Sequence, residues 1–385
     1  MIREYLIPHK GVWEVFGNNG HEAYFVGGCV RDALLGRKAK DIDIATDAKP
    51  EAVKKMFREH FDTGLKYGSI TVEYEGYYYD VTTYRSESGY SDMRRPDRLE
   101  FSKEIEPDLH RRDFTVNAMA YNFDKGHIDL FDGVADLNKK IIKAVGEPSV
   151  RFCEDALRMM RAVRFACELD FTIEPKTLSA IRRNRKGIKY ISKERIYAEL
   201  KRAVVSKAPE RLEYLGTTSL GNAIHPGFRH LAYTDMPAST DLILRLAHIL
   251  RRREMALELL GFLKAEKNTL ANVITVIRGM NEFGTGSEYE VRKLISSAGE
   301  ANAKRVLILK GKGLDLYNEI IRNEDCTSLK DLAINGSVLI ARGIASEGLE
   351  VRRILNVLLD EVMKDPKKNN FDTLIALSYD AMKKI

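Results

Sequence analysis

Residues 24–44, YFVGGCVRDALLGRKAKDIDI, constrain the fold more than any other stretch. An apolar run, Tyr24-Phe25-Val26, stops at Gly27-Gly28. A helix-like segment, residues 30–35, follows with Arg31 and Asp32 at its start, and Gly36 ends it. A basic loop then leads into Asp41-Ile42-Asp43-Ile44, which alternates charged and apolar as a half-buried strand does. Asp41 and Asp43 therefore share one face. Two carboxylates on one face repel unless a cation sits between them, and Mg²⁺ answers this need because hard oxygens suit it and it also binds substrate phosphates. Gly27 and Gly28, at a strand-to-helix turn, offer backbone N–H groups as a phosphate cradle. The combination predicts a nucleotidyl-transfer site. Taken alone, a DxD on a solvated surface or a plain Gly-Gly turn would carry no chemistry.

GGCVRD followed by DIDIAT resembles the signature of the class II tRNA nucleotidyltransferase and bacterial poly(A) polymerase family, within the polymerase-beta-like nucleotidyltransferases. The resemblance implies an α+β fold: a catalytic head with a small mixed sheet, then an all-α neck, body and tail. It divides the chain into residues 1–146, 147–206, 207–310 and 311–385.

Along the chain, residues 1–23 read as a short amphipathic helix and a turn. Residues 50–60 read as a helix opened by Pro50. Residues 69–74 and 77–84 alternate, with Glu75-Gly76 as a hairpin turn. Asp80 lies on the second of these strands and is the candidate for a third carboxylate, against a purely structural role. Residues 85–110 are polar and read as a long loop with at most a short strand at 99–101. It is either a solvated loop or, by the resemblance, the flexible loop needed to add the terminal A, with Arg85, Glu87, Tyr90 and Arg95 as its marked residues.

RRDFTVNAMA, residues 111–120, matches the family's RRDFTxNAxA. Arg111 and Arg112 offer forked donors to phosphate oxygens. Asp113 and Asn117 are one helical turn apart and can face one nucleotide. The resemblance implies that Arg112 and Asp113 hold the triphosphate and ribose. Asp129, Gly133, Asp136 and Leu137 form DxxxGxxDL, read as hinge-like with a flexible glycine and capping carboxylates, or as an ordinary Asp-rich turn.

Residues 150–170 read as one helix with an apolar stripe, and EDALR within it resembles the family's EDxxR. Cytosine and adenine each present an amino donor and a ring-nitrogen acceptor. A carboxylate at Asp155 and a guanidinium at Arg158 match that order, whereas uracil and guanine present the reverse. The pair would thus accept CTP and ATP and reject UTP and GTP, in place of a template. Otherwise it is a surface ion pair worth a few tenths of a kcal/mol. Arg161 and Arg164 extend the same helix and, by resemblance, help hold the nucleotide. Ser192 to Ile196 matches SxERI and is assigned to neck scaffolding.

After about residue 210 only helices are expected, near 208–216, 239–261, 266–281, 288–298, 301–311, 313–323, 328–334, 348–363 and 371–383. Arg251 to Arg253, with Lys264, Lys267, Arg278, Lys304, Arg305, Lys310 and Lys312, are either solvated faces or contacts to a phosphate backbone. The net charge of +6 suits an anionic partner without identifying it. The four cysteines lack CxxC spacing and read as reduced thiols of a cytoplasmic protein. No apolar run is long enough for a membrane span, and His248 lacks the adjacent Asp of a phosphohydrolase. The expected activity is template-independent CCA addition to tRNA from CTP and ATP with Mg²⁺, the acceptor and T arms of tRNA being gripped by body and tail; neither DNA nor a membrane is expected as partner. An A-adding specialist, a poly(A) polymerase and a catalytically silent RNA-binding protein are the alternatives.

Overall fold

The computed structural model describes residues 2–90, 96–346 and 348–383. It forms two compact units, Met1–Asp235 and Met236–Ile385. The α+β expectation holds.

Among the described residues the first unit has eleven strands; Ile141–Ile142 and Thr172–Ile173 form a separate parallel pair, and the other nine, with the helices between them, carry the site. The nine are β1 (Ala23–Val26), β2 (Ile42–Thr46), β3 (Glu59–Gly64), β4 (Ser69–Tyr74), β5 (Tyr77–Thr83), β6 (Arg85–Ser88), β7 (Arg98–Phe101), β8 (Met119–Asn122) and β9 (Gly126–Asp129). Seven of them make one mixed sheet in the order β3-β4-β5-β2-β1-β8-β9, while β6 and β7 pair separately. Only β2 and β5 run parallel within the large sheet. On one face Phe25, Ile42, Ile44, Ile70, Val72, Tyr79 and Val81 pack against Val12, Phe16, Val30, Val53 and Phe57. The strand period of two then sends Asp43 and Asp80 to the opposite face. That face carries a smaller apolar cluster of Tyr24, Val26, Ala120, Tyr84 and Leu109, and the remainder is left for polar chemistry.

Several expectations need correction. The helix foreseen at 50–60 stops at Met56, and Glu59 begins edge strand β3. Most of its side chains are exposed, so no apolar alternation marks it, and pairing with β4 alone defines it. The expected loop at 85–110 contains β6 paired with β7 and a helix at Glu106–His110. Arg85 to Ser88 has no apolar side to betray a strand. Residues 150–170 are two helices, Pro148–Glu154 and Leu157–Leu169, because Asp155 is extended (φ −138°, ψ 106°). The hairpin turn is as expected, with Glu75 and Gly76 both at positive φ, 51° and 79°.

Gly133 does not serve backbone freedom. Its φ is not in the left-handed region, and a Cβ there would stand 2.5 Å from Thr115 O and 2.9 Å from Met119 Sδ. Asp129 accepts from the Gly133 and Val134 N–H groups at 2.7 and 2.8 Å, and Asp136 from the Thr115 hydroxyl at 2.7 Å. The motif therefore clamps the helix Gly133–Lys139 against residues 115–119.

After Thr172–Ile173 no strand occurs among the described residues. Of the late helices, Glu288–Ala298 falls where expected. The span 239–261 is two helices, Leu242–Leu250 and Arg253–Phe262, broken where Arg251 takes φ 55°. Residues 328–334 are not helical, and Gly336–Ala341 is. Near 208–216 the chain makes a 3-10 turn, Pro209–Leu212, and a helix, Glu213–Thr217. All four cysteines are free, with Cys153 exposed and the other three buried. Among the described residues no helix is long and apolar enough to cross a membrane.

Gly133→Ala forces a methyl into backbone contact and should lower unfolding free energy by about 2 kcal/mol. Urea denaturation checks this; an unchanged midpoint would contradict the close-packing account.

Candidate active site

Asp43 stands in β2 beside Asp80 in the parallel register with β5, and Asp41, just before the strand begins, lines the same cleft as Asp43. Thr71 donates to Asp80 Oδ1 at 2.6 Å. Burial is the main force raising the Asp43 pKa, with the charges of Asp80 and Asp41 adding to it and those of Arg112 and Arg161 opposing it. An ionised Asp43 is thus under-compensated by its own protein surroundings. Among the described residues no three or more His, Cys, Asp or Glu side chains form a complete metal cage. Two or three carboxylates with open positions instead suit a divalent ion that completes its shell with water and substrate phosphate oxygens.

Gly27 has φ 73° and ψ −127°, a conformation open to glycine. A Cβ there would also lie 2.7 Å from Arg112 Nη1. The Gly27 N–H already donates to Met119 O at 3.1 Å, so it is spent in the sheet and does not serve as the expected phosphate donor. Gly28 meets only Arg31 Nη2, at 3.7 Å.

The arginines are held by buried acids. Asp108, fully buried, accepts from Arg111 at 2.5 Å and Arg112 at 3.1 Å. Burial alone would raise its pKa, but the two arginines lower it overall. Arg31 donates to Asn117 Oδ1 at 2.6 Å, Asn117 Nδ2 to Asp113 Oδ1 at 3.2 Å, and Arg161 Nε to Asp113 Oδ2 at 2.7 Å. Burial works against the Asp113 anion, yet Arg161 and Arg158 and these hydrogen bonds bring its pKa down to about 2. Arg164, 1 % exposed, pairs with Glu199 and with Glu168 at 2.5 Å, and its guanidinium lies 3.8 Å from the Phe165 ring centre. Arg112 Nε is buried without a partner.

The side chains of Asp155 and Arg158 are not bonded to one another, although the Arg158 N–H donates to the Asp155 carbonyl at 3.0 Å. Asp155 Oδ1 accepts from Leu157 N at 3.0 Å, and Oδ2 from Arg195 at 3.1 Å. Arg158 donates to Glu154 at 2.5 Å and to Arg111 O at 2.8 Å.

Gly27, Gly28, Arg31, Asp41, Asp43, Arg85, Arg111, Arg112, Asp113, Asn117, Asp155, Arg158, Arg161 and Arg164 all line one cleft of about 1080 Å³. Glu87 and Tyr90 line an adjoining recess of about 280 Å³ that shares Arg85, Arg111, Asp155 and Arg158 with the cleft. There Glu87 binds Arg85 at 2.7 Å, and the Tyr90 hydroxyl donates to it at 2.7 Å. Asp80 is outside the lining, on the exposed sheet face, and Arg95 lies outside the described residues. Asp108 and Phe165 were not singled out as site residues by sequence, and Glu199 and Arg195 were read only as part of a scaffolding motif. Asp108 was findable, since it precedes Arg111 and Arg112 by three and four residues. Arg195, read as scaffold, lines both cavities.

Asp113 gives a pH prediction. Its pKa falls from 3.8 to about 2 on folding, so its stabilisation is complete above the unfolded value and is lost as pH falls through the folded one. The stability gap between the native protein and Asp113→Asn should therefore shrink by about 2 kcal/mol between pH 5 and pH 2. Denaturant titrations at each pH measure it.

Comparison with known proteins agrees with this geometry. Residues 23–143 match the poly A polymerase head domain, and residues 170–231 the probable RNA and SrmB-binding site of polymerase A. The CCA-adding enzyme of Pediococcus pentosaceus is 39% identical over 375 residues, 94% of each chain. That of Lactobacillus johnsonii is 50% identical over 211 residues, 54% of this chain and 53% of its own. The Bacillus stearothermophilus CCA-adding enzyme, solved with CTP, superposes with a TM-score of 0.84 at 29% identity and 99% coverage of both chains. The chain belongs to the class II CCA-adding enzyme family, whose catalytic head is that of the poly(A) polymerases.

Proposed function

We propose that the cleft beside Asp43 is where this tRNA nucleotidyltransferase joins CTP and then ATP to the tRNA 3′ end, releasing pyrophosphate at each step. The observation that carries the reading is the meeting, in one cleft, of the Asp41–Asp43 pair with Arg31, Arg111, Arg112, Arg158 and Arg161. Asp41 and Asp43, with Asp80 beside them, would hold Mg²⁺, which when bound supplies charge stabilisation to the attacking 3′ oxygen and the leaving pyrophosphate. Arg112 keeps a buried N–H without a partner and takes a triphosphate oxygen, with Arg31 and Arg111 beside it. Asp113 and Asn117 fix Arg161 and Arg31 and so set where the ribose and phosphates rest. Gly27 keeps the floor open to Arg112.

Asp155 and Arg158 read the base edge. Both must exchange their present partners, Arg195 and Glu154, for the amino group and ring nitrogen of cytosine or adenine. Uracil and guanine would leave buried donors and acceptors opposed. The loop residues Glu87 and Tyr90 adjoin this pair and would adjust it for the terminal A. Exposed Arg251, Arg252, Arg253, Lys264, Lys267, Arg278, Lys304 and Lys312 suit phosphate contacts to the acceptor and T arms. Arg305 is less available, since it is tied to Asp241 at 2.8 Å.

Asp43→Asn should lower nucleotide incorporation by about 10³-fold with an unchanged melting temperature; activity within tenfold of the parent would refute the carboxylate role. Asp155→Ala should raise UTP and GTP incorporation relative to CTP by about 10²-fold, read from single-turnover rates with each nucleotide. Products sized on tRNA ending at the discriminator base should stop at CCA. A single A on CC-ended tRNA alone, or a ladder of A, would favour the A-adding or poly(A) alternative.

A further inference from the structure

Beyond Asp80 the sheet continues outward with a face on which Asp80, Tyr78 and Phe61 are exposed. The hydrogen-bonded register makes one row across it: Val26, Asp43, Asp80, Thr71 and Phe61. Residues paired in this way point to the same side. Along β5, Thr82 lines the cleft, and Asp80 and Tyr78 follow at the strand period of two just outside it, so one sheet face leads from the cleft edge to Tyr78. Tyr78 and Phe61 are 64% and 49% exposed, with ring centres 6.1 Å apart. At a strand spacing of about 4.8 Å and about 3.4 Å per residue, Tyr78 sits about 8 Å from Asp43 and Phe61 about 14 Å.

We propose that this face is a subsite for the unpaired 3′-terminal bases of the acceptor RNA, with Tyr78 and Phe61 as stacking surfaces. The inference rests on the cleft reading above. The phosphate-binding arginines crowd the β1 side of Asp43, around Gly27 and Arg112. In-line displacement requires the attacking 3′ oxygen opposite the leaving pyrophosphate, which is the β5 side. A base one step back from the reacting nucleotide then falls over Tyr78, and the next over Phe61. Exposed aromatic rings stack any base and need no sequence, as befits an enzyme that meets a different terminal nucleotide at each addition. Glu59 and Glu73, paired across β3 and β4 at the outer end, repel phosphate, so the RNA is received through its bases and not through its backbone.

The test uses the full chain and a tRNA whose 3′-terminal nucleotide carries 2-aminopurine, a base whose fluorescence falls on stacking. Binding should quench it in the parent and in Tyr78→Phe. Tyr78→Ala with Phe61→Ala should abolish the quench and raise KM for tRNA about tenfold, leaving KM for CTP unchanged. Both side chains are exposed, and melting curves verify that the variants fold. Full quenching in the double alanine variant would overturn the subsite. Asp43→Asn should still quench while failing to extend; extension by that variant would instead overturn the cleft reading on which the inference stands.

Discussion

A chain of hydrogen-bonded polar and charged side chains inside the first unit sets where everything else rests. Arg31 holds Asn117, Asn117 holds Asp113, Asp113 holds Arg161, and Arg164 on the same helix holds Glu199. These residues come from the helix Gly28–Leu34 after β1, the loop before β8, and the helices Leu157–Leu169 and Lys193–Val204. Arg31, Asp113 and Arg164 are buried while Arg161 is partly exposed, and the buried charges are tolerable only when paired and hydrogen-bonded. Breaking one link leaves an uncompensated ion in the interior, so the chain behaves as a single fastening between the sheet and the helices that follow it. It also holds the guanidinium groups in fixed positions before any substrate arrives, which is the form of preorganisation that electrostatic catalysis needs.

The sheet makes the complementary contribution. Its apolar face is filled by helices, and the period-two alternation of Ile42-Asp43-Ile44 turns the carboxylate away from that layer. Cations gather on one side of Asp43, and open aromatic surface extends on the other. The family's reaction needs both a phosphate-rich nucleotide and a nucleic-acid end at one point. A single strand register separates the two environments.

Much of this was legible in the sequence. The alternation at Ile42 to Ile44, the Glu75-Gly76 turn and the ten-residue run from Arg111 each carry their meaning locally, in period, turn chemistry or charge spacing. The edge strand β3 was not legible, because its side chains are mostly exposed and only backbone pairing defines it. The Arg85 to Ser88 strand failed for the same reason. Gly133 was misread as flexible because a sequence does not show that Thr115 O stands against it. The Gly27 amide looked available for phosphate, and only the fold reveals that Met119 O takes it. Asp155 and Arg158 line one cleft, though across a helix break and not on one helix face, and their present partners, Arg195 and Glu154, come from residues whose charge alone gave no hint of the contact.

The break between the helices at Asp155 has a further consequence. The carboxylate that faces the cleft also accepts the N–H of Leu157 and so starts the helix that carries Arg158, Arg161 and Arg164. On the proposed reading of the base edge, one side chain is both a reading head and a cornerstone. Asparagine there would preserve the cap while removing the charge, whereas alanine would remove both. Natural variation at this position is therefore filtered twice, once by fidelity and once by folding, and tolerance of a substitution by one filter says nothing about the other.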